Sequence, residues 1–132
     1  MRQIACPIAL HPDGAPHRIP MFRHPLAGLQ FVKGGIRDGE RPEAAAAREL
    51  FEESGLETRN ALYLGRSDLI MADTIWHFSL CRLAPPVRPR WQHLCHDDGG
   101  HVFQFEWHDL DAPEPVMDEI FLNARKWIKG AL

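Results

Sequence analysis

The sequence predicts an α+β fold in which helices sandwich a mixed β-sheet. Three observations carry that expectation. Alternating apolar segments suited to strands stand on both sides of one strongly helical stretch, residues 42–54. A second amphipathic stretch closes the chain. The 132 residues fit one domain, 1–132, and at that length folding hides roughly two thirds of the unfolded surface, enough for a core without staples.

Ile4, Cys6, Ile8 and Leu10 alternate along the first ten residues and read as a strand. His11-Pro12-Asp13-Gly14 has turn composition. Residues 17–23 suit a second strand, with Pro20 implying an edge position or a bulge. A glycine-rich loop follows, up to Glu40. The helix over 42–54 opens on Pro42, continues through four alanines, and meets Gly55 where a left-handed residue ends a helix. Segments 61–67, 74–83 and 102–107 are rich in β-branched and aromatic residues and read as strands. Ala84 to Arg90 is a Pro-rich turn or connection, and Trp91 is read as part of it. Val116, Ile120, Phe121, Ala124, Trp127 and Ile128 fall at helical spacing, predicting a helix over Val116–Leu132 that packs on the sheet.

A composition of 45% hydrophobic and 25% charged residues excludes disorder and fibrous repeats. The net charge of -3 supplies no basic field for a long nucleic acid, so none is expected as a partner. Cys6, Cys81 and Cys95 form an odd set without a CxxC pair, which fits a reducing, cytoplasmic setting. No apolar run approaches the roughly 20 residues that span a bilayer, and the first ten residues make a poor signal peptide. Exposed strand edges leave a homodimer open.

Glu49, Glu52 and Glu53 stand at i, i+3 and i+4 on the predicted helix and share one face. Ala44, Ala47, Leu50, Phe51 and Ser54 gather on the roughly opposite face, the one expected to be buried. Three like charges repel. Arg48 can reach Glu52, but one cation cannot balance three anions. Either the face is simply solvated, or a hard divalent ion, Mg²⁺ or Mn²⁺, gathers the carboxylates and bridges them to substrate phosphates. The loop Lys33-Gly34-Gly35-Ile36-Arg37-Asp38-Gly39-Glu40 favours the second reading. Its glycines permit close backbone approach and allow a main-chain carbonyl to point at the same ion. Lys33 and Arg37 suit phosphate contacts or, equally, plain solvation.

The run Gly34 to Leu56, GGIRDGERPEAAAARELFEESGL, resembles the Nudix box. Gly34, Glu40, Arg48, Glu49, Leu50, Glu52, Glu53, Gly55 and Leu56 match its fixed positions without a gap. The resemblance implies a Nudix-type α/β/α sandwich, Mg²⁺ dependence, and hydrolysis of a nucleoside diphosphate linked to another moiety. It further implies that Glu49, Glu52 and Glu53 bind metal, with Glu53 the most central, and that the Lys33 carbonyl joins them. Arg48 resembles the residue that orients the glutamates, and Glu40 a support for the loop–helix turn. Arg41 departs from the usual Thr or Ser before Pro42 and removes a helix cap worth about 1 kcal/mol.

A group that orients or deprotonates water is also required. Glu52 is one candidate. Others lie in His96-Asp97-Asp98-Gly99-Gly100-His101. Where the similar dinucleoside polyphosphate hydrolases carry a glutamate, this chain has His101, so Asp98, Asp97 or His101 itself would take that role; a plain polar turn is the alternative. His93, Cys95, His96 and His101 invite a zinc reading, although their spacing fits no closed tetrahedral pattern. Trp91 is the better base-stacking candidate, because Trp76, His77, Phe78 and Trp107 sit on strands that bury half their residues. Cys81 suits the core.

The reading reached is a Mg²⁺- or Mn²⁺-dependent pyrophosphohydrolase of a small nucleotide-like substrate. Lys33-Gly34-Gly35-Ile36 resembles the loop of dinucleoside polyphosphate and RNA-cap pyrophosphohydrolases, with Val32 where proline is usual. A hydrolase of non-nucleotide polyphosphates and a nucleotide sensor without turnover are the alternatives.

Overall fold

Among the described residues, the chain forms two four-stranded sheets and two helices. The computed structural model describes residues 1–96 and 99–132. The elements are β1 (Arg2–Ile8), β2 (Arg18–His24), β3 (Gly28–Gln30), β4 (Gly34–Gly35), α1 (Pro42–Ser54), β5 (Thr58–Ser67), β6 (Thr74–Leu83), β7 (Arg90–Cys95), β8 (His101–Asp109) and α2 (Glu119–Ala131). The expected mixed sheet is the first, ordered β4-β1-β6-β5, in which β1 runs parallel to β6 and the other pairs are antiparallel. A second sheet, β3-β2-β8-β7, is wholly antiparallel.

Strand β1 explains why the mixed sheet is covered on both faces. Its Ile4, Cys6 and Ile8 enter one apolar cluster with Phe121, Ala124 and Ile128 of α2. Its Ala5 belongs to another cluster with Ala45, Ala46 and Leu50 of α1. Alternate side chains of one strand therefore serve two helices, one above and one below. Trp127 of α2 stacks on Phe78 of β6 with ring centres 4.0 Å apart. Cys6, Cys81 and Cys95 are all buried, and burial pushes the Cys81 pKa up to about 11.

Helix α1 has its predicted bounds but not its predicted orientation. Arg41 supplies no side-chain cap, as its chemistry implied, and instead pairs with Glu43 at 2.6 Å. Gly55 takes φ 77°, and a Cβ there would also stand 2.8 Å from the His93 ring. The buried face is Ala45, Ala46, Glu49, Leu50 and Ser54, whereas Ala44 is exposed and Phe51 is 52% exposed. Small Ala45 and Ala46 let the helix settle against the mixed sheet, and this rotation carries Glu49 inward.

Pro20 lies within β2, paired in register with Trp107 of β8, and β3 reaches only Phe22–His24, so at Pro20 the strand is locally an edge, as expected. Two other expectations are corrected. The stretch holding Trp91 is a strand, β7, rather than part of a Pro-rich connection. Helix α2 starts at Glu119, where Asp118 accepts the Ile120 N–H at 3.0 Å, and Val116 is exposed outside it.

Candidate functional site

Gly34 and Glu49 define the site. Strand β4 pairs with β1 through Ile4↔Gly35 and Ala5↔Gly34, which lays the two glycines alongside α1. The Glu49 carboxylate occupies the space that a Cβ on Gly34 would take. Gly34 is thus an extended residue needed for close approach, not for positive φ. Next to this contact is a cavity of about 340 Å³ whose walls include Lys33, Gly34, Gly35, Glu49, Glu53 and His101.

Arg48 organises the carboxylates around it. Its guanidinium donates to Glu40 at 2.8 and 2.9 Å, to Glu49 at 2.8 Å, to Glu52 at 3.2 Å and to the Gly35 carbonyl at 3.0 Å. Glu40 also accepts the Arg37 N–H at 3.0 Å. The Arg48 hydrogen bonds hold the Glu40 carboxyl down to about 2. In return, Glu40 and then Glu49 raise the Arg48 pKa further above its ordinary value. The repulsion expected among the glutamates is therefore partly offset by one half-buried cation at the helix–loop junction.

The three glutamates do not all face the same space. Glu49 and Glu53 line the cavity, while Glu52 lies outside its walls, with Arg48 at 3.2 Å and Arg37 at 3.6 Å. Arg37 is exposed at the rim of this ion-pair group. His101 is brought to the cavity with Glu49 and Glu53. Asp97 and Asp98 lie outside the described residues.

Trp91 is placed differently from expectation. Its Nε1 donates to the Ser54 carbonyl at 2.8 Å, and its ring stacks on Phe105 at 5.2 Å and 8°. The indole ties β7 to the end of α1 and is not part of the glutamate cavity. His93 makes a parallel tie, donating from Nε2 to the Glu52 carbonyl at 3.1 Å. Among the described residues, no three His, Cys, Asp or Glu side chains gather as a ready-made metal cage.

Several wall residues were not singled out from the sequence: Arg2, Phe22, His24, Gln30, Phe31 and Phe103. Arg2 comes from β1, Phe22 and His24 from β2, Gln30 from β3 and Phe103 from β8, while Phe31 directly follows β3; the pairing of β2 with β3 and with β8 brings all of these but Arg2 together. His24 and His101 have ring centres 5.8 Å apart, and His101 stacks on Phe103 at 5.9 Å and 10°. Nothing in local sequence spacing signals that juxtaposition.

The NUDIX domain model matches residues 13–129. An RNA pyrophosphohydrolase of Actinobacillus succinogenes is 34% identical over 92 residues, covering 64% of this chain and 44% of that protein. An RNA pyrophosphohydrolase of Agrobacterium fabrum is 62% identical over 29 residues, covering 22% of this chain and 17% of that protein. The matches thus span less than half the length of these curated relatives. The MutT NUDIX hydrolase structure from Burkholderia pseudomallei superposes with TM-score 0.65 at 22% identity, covering 95% of each chain. A MutT structure described for Aliivibrio salmonicida and Vibrio cholerae gives TM-score 0.66 at 22% identity, covering 99% of this chain and 98% of that one. At that identity the likeness concerns the fold.

Proposed function

Because this chain belongs to the NUDIX family, we propose that it hydrolyses a pyrophosphate bond in a nucleotide-linked substrate with the help of a divalent cation. The observation that carries the reading is the shared cavity of Glu49, Glu53 and Lys33, with Glu49 pressed against Gly34 and held by Arg48. The donor set fits Mg²⁺ or Mn²⁺. The Glu49 and Glu53 carboxylates and the Lys33 carbonyl are all hard oxygen ligands. Mg²⁺ keeps waters and is held by one or two carboxylates together with substrate phosphates, so it has no need of a closed protein cage. When bound, it neutralises phosphate charge and lowers the pKa of a coordinated water.

The chain's own residues have distinct tasks. Arg48 fixes the Glu49 and Glu52 carboxylates and anchors both to the loop through Glu40 and the Gly35 carbonyl. The Lys33 ammonium and the Arg37 guanidinium attract phosphate oxygens. His101, on the cavity wall, accepts a proton from the attacking water; Glu52 is the second candidate for that task, and Asp98 the third. As the water oxygen bonds to phosphorus, the anhydride P–O bond breaks and the leaving phosphate departs with the bond's electron pair.

Two observations bear on substrate. The curated relatives are named for RNA, whereas the net charge of -3 favours a small nucleotide over a long RNA. We expect dinucleoside polyphosphates or a similar small nucleotide, acted on in the cytoplasm. The test is Mg²⁺-dependent turnover of dinucleoside polyphosphates, nucleoside triphosphates, ADP-ribose, sugar nucleotides, inositol pyrophosphates and a 5′-triphosphorylated RNA oligonucleotide, with products identified by mass. Turnover of a small nucleotide supports the reading. Turnover of RNA alone moves the substrate assignment, and nucleotide binding without any turnover replaces hydrolysis with sensing.

A further inference from the structure

His24 ends β2 and lines the cavity that holds Glu49 and Glu53. Its Nδ1 accepts the Leu26 N–H at 3.1 Å, within the turn between β2 and β3. That bond has a chemical consequence. A neutral imidazole whose Nδ1 is an acceptor must carry its hydrogen on Nε2, so the free end of the ring is a donor. The ring is half-buried and held in place by neighbouring rings, with His101 at 5.8 Å and Phe103 at 6.1 Å between centres. Lys33 and Arg2 also line the cavity, so its wall opposes the glutamates with donors and cations.

We propose that His24 is a substrate-binding residue of this cavity, donating Nε2–H to a phosphoryl oxygen of the bound nucleotide. The turn from His24 to Gly28 sets the tautomer in advance, so the donor is present before substrate arrives and does not depend on the ring being charged. His24 thereby supplies a directional contact where the Lys33 ammonium supplies only a point charge. Such a contact to a phosphoryl group present in both substrate and transition state lowers KM more than it changes kcat. The inference rests on the proposed function for the identity of the ligand.

The side-chain geometry provides a discriminating pair of variants. Asn at position 24 retains an acceptor near the Nδ1 position and so preserves the turn, but loses the outer donor. Gln retains an amide N–H near the Nε2 position. Calorimetry would measure binding of a methylene-bridged, non-hydrolysable nucleoside polyphosphate to the full chain with Mg²⁺, and thermal unfolding would report the turn. His24→Asn is expected to weaken binding roughly tenfold, about 1.4 kcal/mol, with an unchanged Tm. His24→Gln is expected to keep most of the affinity. Wild-type affinity in His24→Asn, or equal losses in both variants, overturns the proposal. Because binding is read without turnover, an inactive wild-type protein contradicts the hydrolase reading while leaving the His24 result decisive.

Discussion

Arg48 and Glu40 form a fork in which Nε and Nη2 donate at 2.8 and 2.9 Å to the two carboxylate oxygens. The pair joins the middle of α1 to the loop that precedes it. Glu40→Gln places an amide N–H against the guanidinium and is expected to destabilise the protein by about 1–3 kcal/mol, measured by urea unfolding at neutral pH. Because the Glu40 carboxyl is lowered from 4.5 to about 2, its contribution is fully present above 4.5 and is lost as pH falls toward 2. The acid-side loss of stability over that window should be shallower in Glu40→Gln than in the wild type.

Gly34→Ala tests the close approach of β4 to α1. The added Cβ would strike the Glu49 carboxylate, so either the strand or the carboxylate must shift. A displacement on the order of 1 Å at a reacting centre costs roughly a hundredfold in rate. Turnover should fall on that scale, while overpacking lowers stability by about 1–3 kcal/mol. Steady-state kinetics beside calorimetric unfolding separates the two effects.

Trp91→Phe addresses the tryptophan that ties β7 to the end of α1. Phenylalanine retains an aromatic face for Phe105 but loses the 2.8 Å bond to the Ser54 carbonyl. The expected result is a stability loss of about 1 kcal/mol with KM unchanged. A raised KM with unchanged stability would return Trp91 to substrate stacking.

His77 gives a second pH dependence. It is buried, accepts the Tyr63 hydroxyl at Nδ1 at 2.8 Å, and donates from Nε2 to Gln3 at 2.6 Å. Burial first, and Arg66 second, hold its pKa below the ordinary 6.5. The unfolded chain therefore takes up a proton as pH drops below 6.5 while the folded protein resists it, so stability falls there. His77→Gln should flatten that part of the profile in urea titrations.

What the sequence revealed depended on how local the signal was. Pro42, the alanine run and Gly55 announce α1, and the apolar content of 74–83 announces β6. Strand β7 was hidden because its inward set, Trp91, His93 and Cys95, mixes polar with apolar residues, while Leu94 on its outer side is exposed. The rotation of α1 was hidden because a buried Glu49 makes sense only with Gly34 and Arg48 already in place. The carboxylate spacing and the flanking loop were legible within one continuous run of residues. The other cavity wall, His24 and Phe103 included, depends on β2 pairing with β8.

The central claim is that Glu49 and Glu53 hold a divalent cation for pyrophosphate hydrolysis. The direct measurement is turnover of the preferred nucleotide by wild type and Glu53→Gln across a Mg²⁺ titration, after both are shown to unfold at similar temperatures. Loss of a charge-stabilising metal contact predicts a fall in kcat/KM of roughly a hundredfold or more in the variant, and dependence on Mg²⁺ in the wild type. Equal turnover by the two proteins, or wild-type turnover unaffected by chelator, would contradict it.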